Sequence, residues 1–381
     1  MKFVYVTFFV FINFIFGSTS FAHERWIKHD LQLPVNDNLF LHWNFDLISI
    51  LARSIIFFIV IAGVWKNRLL ILEKSISFFK RKFPSSKFPE ESLKFIFDEP
   101  LYNQFLFEKV IPYIQRFAVR CPSLVLMYAA AGNFLFMPSF PLETSEYWLK
   151  PMQVILAIFI LTELMLPIVG WSILIVLIYL THRFGIVSID ALPLLGLAFI
   201  YITMPMFAKR NVLFIRNNQI KILKIIIGLS FLSLGLTKII NYRLLIGALD
   251  NHTQLLNDPF IKLFWIGTDP RYQREWWAFG FGMSEILTGL IVALGMFKRF
   301  ICLLTTVIFI KLMVFSIGWE ELPHLFPISI FLLIGFSKIY SPNPDPSPRN
   351  RRWTDQYKLK DAKNFREKIV ALYVHFLDRI N

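Results

Sequence analysis

The sequence predicts an all-α, polytopic integral membrane protein, and three observations support this fold class. Hydrophobic residues make up 56% of the 381 residues, and the mean hydropathy of +0.55 is high for a soluble domain. Apolar runs long enough for membrane-spanning helices recur between residues 46 and 340. Lysine and arginine collect after alternate runs, which is the positive-inside pattern.

Residues 1–22 have the pattern of a secretory signal peptide. One lysine precedes an apolar run from Phe3 to Phe16, and Ser20 and Ala22 occupy the −3 and −1 positions of a cleavage site. Cleavage there leaves His23 as the first mature residue, on the periplasmic side of a bacterial inner membrane. The alternative is an uncleaved first helix. Residues 23–45 are polar and aromatic, and we expect a periplasmic segment there.

The mature chain divides into a single span followed by two sets of four. The first span is predicted at 46–65 and is followed by a basic cytoplasmic linker at 66–116. The two sets of four spans occupy 117–208 and 220–340, and a basic cytoplasmic tail at 341–381 ends the chain. Membrane orientation thus explains the formal net charge of +14, and we expect no nucleic-acid partner.

The two sets of four spans have similar sequences, with the second and third spans of the first set meeting at Val169 and Gly170. The alignment pairs Arg120 with Lys224, Asn133 with Lys238, and Glu163 in LTELMLPIVG with Glu285 in MSEILTGLIVALG. Each unit has an even number of spans, so both enter the membrane in the same orientation. The predicted fold is nine mature transmembrane helices, one plus two parallel four-helix repeats, after a signal peptide.

The second unit resembles the DoxX-type family of four-helix membrane proteins. The matching positions, at the end of helix one, within helix two and at the following turn, are Gly235, Lys238, Glu285, Gly295 and Arg299. The resemblance covers 220–340, and it is weaker over 117–207. It implies a four-helix membrane fold and an accessory or quinone-interacting subunit of a membrane oxidoreductase system, because family members are associated with quinone-linked or sulfur-compound oxidation complexes.

Five polar residues within the predicted spans are candidates for an intramembrane site: Glu285, Lys238, Lys311, Glu163 and Asn133. An ionisable group at the bilayer centre costs at least about 2.5–3.5 kcal/mol, so we expect Glu285 to pair with Lys238 or Lys311. Such a pair either fixes helix packing alone or lines a quinone site or proton path. Glu163 has no lysine on a neighbouring span, so we expect it to be protonated or hydrogen-bonded to Asn133 or Ser172.

Charged residues of the exported loops are predicted to converge above the second unit. This periplasmic mouth comprises Arg271, Arg274, Glu320, Glu321 and His324. It would be the place for a substrate or for the docking face of a redox partner. The tryptophans of the same loop are typical of membrane-interface anchors.

A periplasmic copper site is a minor alternative. After cleavage, His23 offers an α-amine and an imidazole, and the further metal candidates are His29 and His42. No HxH or HxxxH spacing supports a metal site, so the alternative is that these histidines are interfacial side chains.

Three classes of function remain open, and whether the chain is an enzyme is open with them. The first is the oxidoreductase accessory subunit, with the lipid bilayer and other membrane or periplasmic redox proteins as partners. The second is a small-solute transporter, which a duplicated bundle suits. The third is a membrane scaffold without catalysis. Motifs of soluble enzymes, such as a Walker loop or a nucleophile elbow, are missing from the sequence.

Overall fold

A computed structural model describes six parts of the chain: 45–82, 88–98, 110–204, 217–240, 273–316 and 319–337. Within these parts every regular element is helical, apart from one isolated β-bridge between Phe134 and Pro141. The all-α prediction is confirmed for them. The predicted signal peptide and the cytoplasmic tail lie outside the described residues.

The described residues form twelve α-helices, joined by short 3-10 segments at Thr144–Glu146, Gly185–Ala191 and Trp319–His324. In chain order they are α1 Phe45–Lys66, α2 Arg68–Lys82, α3 Phe88–Ile96, α4 Ile111–Arg120, α5 Pro122–Gly132, α6 Leu149–Thr162, α7 Leu166–Phe184, α8 Pro193–Ile202, α9 Asn217–Ile240, α10 Gln273–Leu294, α11 Lys298–Lys311 and α12 Leu325–Gly335. A π-helical segment, Leu312–Ser316, extends α11.

Four helices are long and apolar enough to cross a membrane. They are Ile48–Lys66 in α1, Leu166–Phe184 in α7, Asn218–Ile240 in α9 and Trp277–Leu294 in α10. This agrees with a membrane protein. The other predicted spans coincide with shorter helices, which include α6, α8 and α12.

Two stretches of the chain follow the same plan, 132 positions apart. Helix α7 spans 166–184, and α11 with its π-helical segment spans 298–316. Helices α8 and α12 likewise begin at Pro193 and Leu325. The turns before α7 and α11 also match, because each has two left-handed residues separated by one other residue: Glu163 and Met165, then Gly295 and Phe297.

The matching helices pack against each other reciprocally. Helix α8 of the first unit contacts α9 of the second, and α12 of the second unit contacts α4 of the first. Helix α4 precedes α6 in the first unit as α9 precedes α10 in the second. Helices α8 and α12 also contact each other. The hydroxyl of Tyr201 donates to the Val119 carbonyl over 2.8 Å, and Ser329 donates to the Ala118 carbonyl. The contacts of α8 with α9 and of α12 with α4 are reciprocal, as in a two-fold arrangement.

The helix boundary in the first unit differs from the prediction. The break lies at Glu163–Met165 and not at Val169–Gly170. Pro167 sits in the first turn of α7, where its missing N–H is not needed. Gly170 lies inside α7, and a Cβ there would come within 2.7 Å of the Ala198 carbonyl oxygen. A glycine is therefore needed at this position for the close contact between α7 and α8, and not for a turn.

Glycines spaced by seven residues bring α9 and α10 into backbone contact. A Cβ on Gly282 would lie 2.8 Å from the Gly235 carbonyl oxygen, and one on Gly289 would lie 2.5 Å from that of Gly228. The order of these contacts shows that the two helices are antiparallel. Small residues allow such close packing within membranes. The seam between α9 and α10 therefore holds the side chains beside it in fixed positions.

Candidate functional site

A buried ion pair lies on the seam between α9 and α10. Lys238 and Glu285 each follow a seam glycine, Gly235 and Gly282, by three residues. Side chains on a helix lean toward its N-terminus, so on antiparallel helices these two lean toward each other. The Lys238 Nζ and Glu285 Oε1 atoms are 2.5 Å apart, and the two side chains are 17% and 10% exposed.

Aromatic rings continue this site along one face of α10. Trp277, Phe281 and Glu285 are spaced by four residues and therefore share a helix face. The Trp277 and Phe281 rings stack with centroids 5.1 Å apart and planes 4° apart. The Lys238 ammonium lies 4.5 Å from the Phe281 ring centroid, a cation–π contact. The site is thus a ladder of tryptophan, phenylalanine, lysine and glutamate.

Two polar atoms of this ladder have no hydrogen-bond partner among the described residues. They are the Glu285 Oε2 atom and the Trp277 Nε1 atom, and both are buried. A buried polar group without a partner costs roughly 1–3 kcal/mol, and more when it is charged. Among the described residues, one acceptor and one donor of the ladder are therefore left unsatisfied.

Two further titratable residues act electrostatically on Glu285: Asp190 and His324. Asp190 belongs to the 3-10 segment before α8, in the first unit. His324 ends the 3-10 segment before α12, and its ring centroid lies 4.5 Å from that of Phe309. Each unit therefore contributes a titratable residue to the surroundings of the ion pair.

The other residues predicted for the site and its mouth are placed differently. Lys311 ends α11, and the salt bridge of Glu285 within the described residues is with Lys238. Arg271 lies outside the described residues. Arg274 belongs to α10 and Glu320 and Glu321 to a 3-10 segment, but the structure does not describe their side chains. Of the predicted mouth, His324 alone is placed close to Glu285 by the described side chains.

Glu163 does not have the surroundings that the sequence predicted. It pairs with Arg120, whose Nε atom lies 2.8 Å from Oε1, in an orientation that makes an ion pair without hydrogen-bond geometry. The helix break at Cys121 gives Arg120 this position at the end of α4. Asn133 is exposed at the C-cap of α5. It lies thirteen residues from Arg120, or about 20 Å along a helix, so it takes no part in this pair.

The structural counterpart of Glu285 is Gln153 and not Glu163, since the 132-position offset joins them. Gln153 is fully buried in α6. Its amide nitrogen donates to the Phe134 carbonyl over 3.0 Å, and its Oε1 accepts from the Phe136 N–H over 2.9 Å. The first unit therefore has a neutral side chain, satisfied at both ends, where the second has an ion pair. The sequence signal was a polar residue inside the apolar α6.

The counterpart of Glu163 is Gly295, in the turn between α10 and α11. The Lys224 Nζ atom lies beside the position that a Cβ on Gly295 would take, so Lys224 approaches this turn as Arg120 approaches Glu163. Gly295 adopts φ +71° without steric cost, whereas Glu163 at φ +58° costs about 1 kcal/mol or more. The second unit thus has a lysine beside its turn but no acidic residue within the turn.

Asp98 of the linker supplies the acidic group at that second turn, which sequence analysis missed. Its carboxylate accepts from the backbone N–H groups of Lys298 and Arg299 over 2.7 and 3.0 Å, at the N-terminus of α11. The neighbouring Phe97 ring packs against Phe297, with centroids 5.6 Å apart. Burial raises the pKa of the Asp98 carboxyl, and these hydrogen bonds partly oppose the rise.

No resident metal site emerges from the part of the chain that the structure describes. No group there of three or more histidine, cysteine, aspartate or glutamate residues could hold a metal ion. His23, His29 and His42 lie outside the described residues, so the copper hypothesis stays a prediction.

No family model matches this chain, and comparisons with the curated proteins and with the solved structures return no match either. The resemblance to the DoxX-type family therefore rests on the short motifs of the second unit.

Proposed function

We propose that this chain is an accessory, quinone-interacting subunit of a membrane oxidoreductase system, with its quinone site at the Lys238–Glu285 pair. The observation that carries the proposal is a buried ion pair beside two stacked aromatic rings, with one carboxylate oxygen and one indole N–H unpartnered among the described residues. Intramembrane ionisable groups are commonly functional, and apolar pockets with a few polar groups hold cofactors. The motif resemblance of the second unit to the DoxX-type family supports the same assignment.

The proposed membrane arrangement is nine mature spans, one plus two parallel four-helix repeats, in a bacterial inner membrane. The basic linker and tail support a C-terminus in the cytoplasm and a mature N-terminus in the periplasm. The 132-position correspondence and the reciprocal helix contacts support two units in the same orientation. Lys238 then lies toward the periplasmic end of α9.

Extraction of the purified protein tests the proposed quinone site. The full-length chain, its Glu285→Gln variant and a matched Glu163→Gln variant are purified from native membranes in mild detergent. Each is then extracted with organic solvent, and quinones are quantified by mass spectrometry. We expect quinone in the wild type and in Glu163→Gln, and a large loss in Glu285→Gln. A wild type that carries no quinone and binds none on titration contradicts the proposal.

The position of the pair on the seam also favours a second candidate, a membrane scaffold in which the pair only locks α9 to α10. A scaffold predicts that Glu285→Gln lowers the yield of folded protein and leaves quinone content per folded molecule unchanged. Size-exclusion chromatography before extraction gives the amount of folded protein, so the two candidates predict different ratios.

A further inference from the structure

We propose that the second unit binds the reduced, hydroxyl-bearing form of an aromatic headgroup, a hydroquinone or related phenol, in preference to the oxidised carbonyl form. This inference rests on the proposed function and narrows the ligand class of the same site. It comes from comparing Glu285 with its counterpart Gln153, residue by residue, and from the hydrogen-bonding character of the two unpartnered atoms.

The first unit shows which kind of partner such a position takes. The Gln153 side chain has an acceptor oxygen, and that oxygen is satisfied by an N–H donor from Phe136. At Glu285 one oxygen is satisfied by Lys238, while the second is buried without a partner among the described residues. An ionised carboxylate only accepts hydrogen bonds, so the missing partner has to be a donor.

At the other end of the ladder, Trp277 requires a hydrogen-bond acceptor. The Trp277 indole nitrogen only donates, and it is buried without a partner in the described part of the chain. A hydroxyl group both donates and accepts, so a hydroxyl matches the bonding character of the carboxylate and also that of the indole. A quinone carbonyl accepts from Trp277 but places an oxygen lone pair against the Glu285 carboxylate. The hydroquinone therefore has one favourable contact that the quinone lacks.

Three probes of the same ring separate these interactions: a hydroquinone with one isoprene unit, its quinone, and its O,O-dimethyl ether, which has no donor. Each is titrated by calorimetry into the full-length protein in lipid nanodiscs, anaerobically for the hydroquinone. We expect the hydroquinone to bind about tenfold or more tightly than the other two, because a hydrogen bond to a charged group is lost in both.

Two variants show which atom carries the preference. Glu285→Gln removes the charged acceptor, so hydroquinone binding should weaken and its preference over quinone should disappear. Trp277→Phe removes only the indole donor, so hydroquinone and quinone should both weaken, by about fivefold. Glu163→Gln, a buried ion-paired glutamate in the first unit, should leave all three affinities unchanged.

The outcomes distinguish this inference from the function on which it rests. Equal binding of all three probes, weakened to the same extent by Glu285→Gln, overturns the hydroquinone preference and leaves a quinone-type site in place. No binding of any probe overturns the proposed site and the inference together. If Glu285→Gln still prefers hydroquinone, a group other than the Glu285 carboxylate accepts the hydrogen bond from the hydroxyl, which also contradicts the inference.

Discussion

Gln153 and Glu285 occupy matching positions in the two halves of this protein, and their surroundings differ. Gln153 is neutral, and the oxygen and the nitrogen of its side-chain amide both form hydrogen bonds with the backbone of the segment that follows α5. Glu285 is ionisable and bonds a lysine through one oxygen, with the other buried without a partner among the described residues. One scaffold thus holds a polar side chain with both ends hydrogen-bonded in one unit, and in the other unit a side chain with one oxygen unpartnered among the described residues.

The largest expected effect comes from breaking the ion pair on one side. Lys238→Met leaves the Glu285 carboxylate buried without its cation, which should lower the free energy of unfolding by about 3–5 kcal/mol. Thermal unfolding of the detergent-solubilised protein measures this loss. The double variant Lys238→Met/Glu285→Gln should recover much of it, and an equally unstable double variant would show that packing of the lysine, not charge, matters.

The next test transfers the charge to the first unit. Gln153→Glu places a carboxylate against the Phe134 carbonyl and should cost about 3 kcal/mol, because a buried charge loses hydration and gains a repulsive contact. If Gln153→Glu is neutral in the same unfolding assay, the two positions are not equivalent.

The seam glycines allow a test of how strictly the second unit is positioned. Gly235→Ala puts a methyl group against the Gly282 carbonyl and should destabilise by about 1–3 kcal/mol. Gly63→Ala is the control, because a Cβ at Gly63 meets nothing within 4 Å. We expect no loss there. Similar melting temperatures for both variants would argue against the close antiparallel pair.

The smallest expected effect concerns Asp98 at the turn of the second unit. Asp98→Ala removes the cap of α11 and should cost about 1 kcal/mol. Because the folded-state pKa is raised above 3.8, the folded protein binds the proton more tightly, so stability from this group is present at low pH and declines as pH rises through the raised pKa. Asp98→Asn should remove that part of the pH dependence in unfolding measurements from pH 3.5 upward.

Much of the helical layout follows from hydrophobic runs and glycines, and so does the need of Glu285 for a cation. The correct alignment of the two units does not follow from the sequence. The similar sequences around Glu163 and Glu285 suggest that these two residues correspond, whereas the left-handed turns pair Glu163 with Gly295. In the sequence Arg120 resembles a charge that flanks a span, but the helix break at Cys121 places it beside Glu163. The contact of Asp98 with α11 joins residues 200 apart in the chain, which no local pattern predicts.

An experimental density map of the protein in native lipid, at a resolution that shows side chains, would show whether a ring is bound beside the Lys238–Glu285 pair. We expect density from a bound ring next to the Glu285 Oε2 and Trp277 Nε1 atoms, and none beside Gln153. Density of the protein's own chain satisfying both atoms, with no bound molecule, would contradict this expectation.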